Sequence, residues 1–162
     1  MLPKWEDLPR GPMTNRQLVD YVRGFLTPLF TSENFITSTR IQNYVKWGVL
    51  SQPDGRRYNR VHLAEAIIVS ILKGVLTTQE IAQGISLQLL LLSTEEAYNA
   101  FSRAFEEAKA EVEYFISYGE TLENKSKHPA LTGVCRAFCY RALSKDIIRL
   151  GGLEGFKGEK SG

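Results

Sequence analysis

"RIQNYVKWGVLSQPDGRRYNR", Arg40 to Arg60, decides how the rest of the chain is read. Thr37, just upstream, suits the N-cap of a helix over about 38–47, and Gly48 supplies its stop. At helical spacing Ile41, Tyr44, Val45 and Gly48 fall on one face, and Thr39, Gln42, Asn43 and Lys46 on another. The first face suits a core. Every side chain of the second can hydrogen-bond, which is the chemistry needed to read base edges. "SQPDGRRYNR" then reads as a tight turn between short extended segments, with Asp54-Gly55 as the hairpin signal. A hairpin placed after such a helix is a wing. Five of these 21 residues are Lys or Arg, and only Asp54 is acidic.

The charge pattern of the whole chain sharpens this reading. Net charge is only +2 over 162 residues. Residues 1–36 are neutral, residues 37–60 carry +4, and residues 61–162 carry −2. The positive excess therefore sits in one segment, a local footprint for a polyanion. A composition 43% hydrophobic and 23% charged belongs to a soluble globular protein. No apolar run approaches the roughly 20 residues of a membrane span. "ISLQLLLLS" is the longest, and Gln88 interrupts it. The opening "MLPKWEDLPRGPM" has no apolar core of a signal peptide. Together with only two cysteines, this predicts a reducing cytoplasm.

Outward from the basic segment the chain reads as helices. Residues 1–13 are Pro-rich and expected to form a flexible, extended tail. Thr14 caps a helix over about 15–26, with Leu18, Tyr21, Val22 and Phe25 on its apolar face. Asn59 caps a helix over about 60–75 that is apolar around most of its circumference, the mark of a central core element. Thr77 to Glu80 and Ser93 to Glu96 are capping boxes. The second opens the longest helix, about 94–118, with Ala97, Phe101, Ala104, Phe105, Ala108, Val112 and Phe115 in a stripe. Glu95, Glu96, Glu106, Glu107, Glu111 and Glu113 make that helix acidic. Pro129 suits the start of a last helix carrying Leu131, Val134, Cys135, Phe138 and Ala142, which Gly151-Gly152 ends. The expected organisation is a recognition part over 14–92, a two-helix C-terminal dimerisation element over 93–150, and a second flexible tail over 151–162.

Several separated elements share an order with a known family. "IQNYVKWGVL" followed by "GRRYNRVHLAEAIIVSILKGVLTTQEI" resembles the winged helix-turn-helix of MerR-type transcription regulators. Tyr44, Gly48, Val49-Leu50, Arg56-Arg57-Tyr58, the helix from Val61, and Leu76 to Ile81 fill that family's places in sequence. "NYVKWGVL", "RRYNR" and "ILKGVL" also resemble, more closely, a bacterial domain family of unknown function. The likeness covers about residues 14–90. Where MerR-type helices carry Arg-Tyr-Tyr, this chain has Gln42-Asn43-Tyr44.

The resemblance implies a MerR-like winged helix-turn-helix with a small β wing; with the two-helix C-terminal hairpin read from the residues themselves, the expected fold is all-α. The resemblance also implies a sequence-specific transcription regulator binding double-stranded DNA. The expected DNA-binding residues are Ser38, Thr39, Arg40, Gln42, Asn43, Tyr44 and Lys46 on the helix, and Arg56, Arg57, Tyr58 and Arg60 on the wing. Gln42 and Asn43 suit adenine edges, and Arg40 or Lys46 suits guanine or phosphate. Arg56, Arg57 and Arg60 suit phosphates or the minor groove. Tyr58 is open between a phosphate contact and packing on the next helix; Trp47 is expected to pack under the wing. The alternative function is a helical protein-interaction module of winged-helix shape that does not bind DNA.

One winged helix reads few base pairs, so such modules usually act as dimers. A homodimer through residues 94–150 is the expectation, against an intramolecular core as the alternative. Cys135 and Cys139 share a helix face, and His128 lies seven residues before Cys135; core packing is the simpler reading than a metal or thiol sensor. No catalytic residues, metal or cofactor are expected: His62 and His128 have no nucleophile partner, and no Gly-rich phosphate loop is present.

Overall fold

The computed structural model describes residues 2–27 and 35–118, and beyond them Ala137, Arg141, Ser144, Lys145, residues 147–152, Glu154, Gly155 and Gly158. A short 3-10 helix, Trp5–Asp7, precedes α1 (Asn15–Leu26), α2 (Ser38–Lys46), α3 (Arg60–Leu72), α4 (Thr78–Leu89) and α5 (Thr94–Tyr118). The described residues are thus mostly helical and contain no strand, as an all-α reading requires.

Local chemistry places the helix starts. The Thr14, Thr37 and Thr77 hydroxyls accept from the backbone N–H three residues on, and the Asn59 side chain accepts from Val61. Gln17, Glu80 and Glu96 reach back to the N–H of Thr14, Thr77 and Ser93. At the end of α2, Gly48 adopts φ +68, the left-handed region where a Cβ is penalised. Its N–H donates to Val45 and that of Val49 to Tyr44, a Schellman cap.

The chain divides into two compact units, residues 1–100 and 101–162. Among the described residues, the buried core lies in the first. α3 runs through its middle, with Leu63, Ala64, Ala66, Ile67 and Val69 buried, and α1 packs against both α2 and α3. Leu18, Val22, Leu26, Ile41, Leu50 and Ile81 close around it, each fully buried and contributing about 1.5–3 kcal/mol by leaving water. In the second unit, the Phe101 and Phe105 rings stack with centroids 6.3 Å apart. Ile147, Ile148 and Arg149 are helical, and Gly151 and Gly152 turn the chain out with positive φ.

Several expectations change. The buried face of α1 is Leu18, Val19, Val22 and Leu26, while Phe25 is exposed and Tyr21 half-buried. Tyr21 and Phe25 instead pair with each other, 5.1 Å between ring centroids. Residues 2–13 are no flexible tail: Leu2, Leu8 and Met13 are buried. Tyr98, which the expected α5 stripe leaves out, is 1% exposed and donates its hydroxyl to Pro3 O at 2.7 Å. Its ring also meets Trp5, so the N-terminal part of α5 clamps the N-terminal segment. At the other end, Glu154, Gly155 and Gly158 are helical.

The β wing has no strand. Arg57 N–H donates to Asp54 O at 2.9 Å, and Gly55 sits at φ +58. With no positive φ at Arg56, this is the pattern of a type II′ turn. The ladder stops after that one bridge. The next hydrogen-bonding pair across the turn would be Gln52 with Asn59, and Asn59 caps α3 instead, its N–H donating to His62 Nδ1 at 3.1 Å and its C=O accepting from Leu63. Tyr58, whose backbone polar groups face away from the turn, exchanges both hydrogen bonds with Met13, at 2.8 and 2.9 Å. Of the expected last helix, Ala137, Arg141, Ser144, Lys145 and residues 147–149 are helical, while Leu131, Val134, Cys135, Phe138, Cys139 and Ala142, and His128 before it, lie outside the described residues.

Candidate nucleic-acid interface

The α2 helix is held by Ile41 and Tyr44, both buried, and that fixes what its other faces present. Ser38, Thr39, Gln42 and Lys46 are exposed and form one outward stripe. Arg40, Asn43, Tyr44 and Trp47 follow the i, i+3, i+4, i+7 spacing of a neighbouring stripe. These four line a groove of about 620 Å³ that Phe35, Ser70, Lys73, Gly74 and Thr78 complete. The structure therefore splits the expected reading face: Gln42 and Lys46 stay outward, whereas Asn43 is half-buried at the groove.

Arg40 is exposed, but one guanidinium nitrogen donates to Phe35 O at 2.7 Å. Tyr44 is buried. Loss of water raises its hydroxyl pKa, an effect the positive Arg40 partly offsets. Trp47 does not pack under a wing. It is 57% exposed, with one ring edge on Tyr44.

The arginine turn divides in a similar way. Arg56 and Arg57 are exposed, and their side chains make no hydrogen bond or ion pair with another described residue. Arg60 faces inward instead. Its guanidinium donates to Leu8 O at 2.6 and 3.0 Å and to Glu6 O at 3.2 Å, and it lies 5.4 Å from the Trp5 ring centre. These carbonyls, presented by the packed N-terminal segment, take the charge that the sequence assigns to phosphate. Tyr58 follows its packing alternative: it is buried, edge-on to His62 at 5.3 Å, with Asn15 Nδ2 3.4 Å from its hydroxyl.

The loop from α2 to the turn is fixed by a residue that pattern reading passes over. Glu65 is buried on α3, and its carboxylate accepts from the Ser51 N–H at 2.9 Å and from the Ser51 hydroxyl at 2.5 Å. Burial pushes its pKa up, and the Ser51 bonds and nearby His62 pull the other way. The signal was present, since Glu65 is the one acid in a largely apolar helix. A buried carboxylate needs donors, and Ser51 supplies both. His62, also buried, accepts the Asn59 N–H at Nδ1, while its Nε2 has no partner among the described residues.

Among the described residues, no three His, Cys, Asp or Glu side chains come together as metal ligands. No helix of the described residues is long and apolar enough to cross a membrane. A family described as a domain of unknown function (DUF1836) matches residues 3–106. No curated protein and no solved structure matches the chain.

Proposed function

The chain belongs to the DUF1836 family, and we propose that it is a sequence-specific DNA-binding transcription regulator of the MerR-like winged helix-turn-helix kind. One observation carries the reading: the polar outer stripe of α2 and the Arg56-Arg57 turn are both exposed, and α2 leads directly into that turn. In this reading α2 enters the major groove, Gln42 bonds a base edge, and Lys46 takes guanine or phosphate. Ser38, Thr39, Arg56 and Arg57 meet the backbone, and the turn serves as a wing without a sheet. Arg60 and Tyr58 support the turn from inside. Two copies associating through residues 94–150 would supply paired half-sites, and a cytoplasmic location suits the role.

The helical protein-interaction module is a second reading because Leu89 at the end of α4 and Leu90 and Leu91 after it are exposed. Selection of genomic fragments by the purified chain, followed by affinity measurements across a salt series, separates the two. DNA binding through Lys46, Arg56 and Arg57 releases counterions and weakens steeply with salt. Failure to enrich any sequence overturns the regulator reading. Sedimentation equilibrium tests the dimer, which a monomer at micromolar concentration with and without DNA would exclude.

A further inference from the structure

The groove between α2 and the turn joining α3 to α4 combines features that no part of the DNA reading needs. Three aromatic side chains line it, Phe35, Tyr44 and Trp47. Trp47 is the most telling, because a large ring left 57% exposed at the end of a helix loses the burial that normally fixes it. Two cations, Arg40 and Lys73, share the same lining, and none of the nine lining residues is acidic. Lys73 is exposed and its ammonium makes no ion pair with another described residue. Polar groups complete the wall: the Asn43 amide, the Thr78 hydroxyl and the buried Ser70 hydroxyl. Ser70 donates to Ala66 O, and its oxygen keeps the capacity to accept. A space of about 620 Å³ lies within the size of small-molecule sites.

We propose that this groove binds a small planar aromatic anion. The ring lies against Trp47 and Tyr44, its charge meets Lys73 and Arg40, and Asn43 and Ser70 bond its polar edge. An aromatic carboxylate and a nucleoside monophosphate share this chemistry. The ligand would occupy Arg40 and Asn43, beside the outer stripe of α2. Its consequence for DNA affinity rests on the proposed function; its binding does not.

The test uses the full-length chain labelled with ¹⁵N and follows the Trp47 indole N–H, assigned by comparison with Trp47→Phe. Salicylate and adenosine 5′-monophosphate are the probes. Cyclohexanecarboxylate and inorganic phosphate lack the ring. A saturable shift with salicylate alone identifies a carboxylate ligand, and one with the nucleotide identifies a nucleotide ligand. Lys73→Gln, at an exposed position, should weaken either by about tenfold, the loss of one charge-assisted contact. Trp47→Phe, followed through the Asn43 amide, keeps a ring and should bind more weakly than wild type but more tightly than Trp47→Ala. The proposal is overturned by no saturable shift with either probe, by equal binding of cyclohexanecarboxylate, or by a Lys73→Gln chain that binds unchanged. Loss of DNA affinity on adding the bound probe supports the regulatory consequence. A chain that binds the probe but no DNA sinks the regulator reading and leaves the site standing.

Discussion

The Glu65 carboxylate holds both the backbone N–H and the hydroxyl of Ser51, tying the middle of α3 to the loop that leaves α2. This one clasp sets where the chain starts its path towards Arg56 and Arg57. The loop position thus depends on a charge buried in the core, and its removal is a test of the turn as well as of stability.

Glu65→Ala leaves the Ser51 N–H without its acceptor and should cost about 1–3 kcal/mol. Glu65→Gln keeps one carbonyl acceptor and should cost less. The pH dependence has a definite sign. Because burial raises the folded-state pKa above the unfolded one, protonation favours the folded state. The contribution is full below about pH 4.3, the ordinary Glu value, and is lost as pH rises through the folded pKa. Urea denaturation across that window should therefore show a downward slope for wild type that Glu65→Gln removes. An unchanged slope in the variant would assign the titration to another group.

Arg60→Ala should destabilise the fold by about 1–3 kcal/mol through the lost bonds to Leu8 and Glu6, without changing the salt dependence of DNA binding. Arg57→Ala should do the opposite: leave stability within about 0.5 kcal/mol and flatten the salt slope by roughly one unit. Denaturation and fluorescence anisotropy on the same two variants check the contrast, which fails if Arg60→Ala alone flattens the slope.

Gln42→Ala should relax sequence preference, costing about 1–3 kcal/mol at a single base position, because Gln42 stays on the exposed stripe of α2. Competition among single-base operator variants measures it. Uniform weakening with the preference intact would rule out base reading by this residue.

Tyr98→Phe removes only the hydroxyl that donates to Pro3 and should cost about 0.5–1.5 kcal/mol. Deleting residues 1–8 should cost more, since it also strips Leu2, Leu8 and the Arg60 acceptors. Comparison of the two midpoints in urea tests whether the N-terminal segment is part of the fold; equal midpoints for wild type and the deletion would show that it is not.

The helix starts were legible in the sequence because each is decided within about one turn of chain. Thr14, Thr37, Asn59 and Thr77 cap where expected, and Gly48 ends α2 through two bonds to residues three and five positions back. The central place of α3 was legible too, since a helix apolar nearly all round has nowhere else to go. Of the candidate site, the outward positions of Gln42, Lys46, Arg56 and Arg57 follow from that local pattern. Partners far away in the chain decided the rest. Arg60 turns inward because Leu8 O, 52 residues earlier, reaches it, and Tyr98 is buried through Pro3, 95 residues away. Tyr58 pairs with Met13, far back in the chain, and Asn43 joins a groove whose far wall is Lys73 and Thr78. Helical spacing says which side chains share a face, but only packing against distant elements says what that face meets.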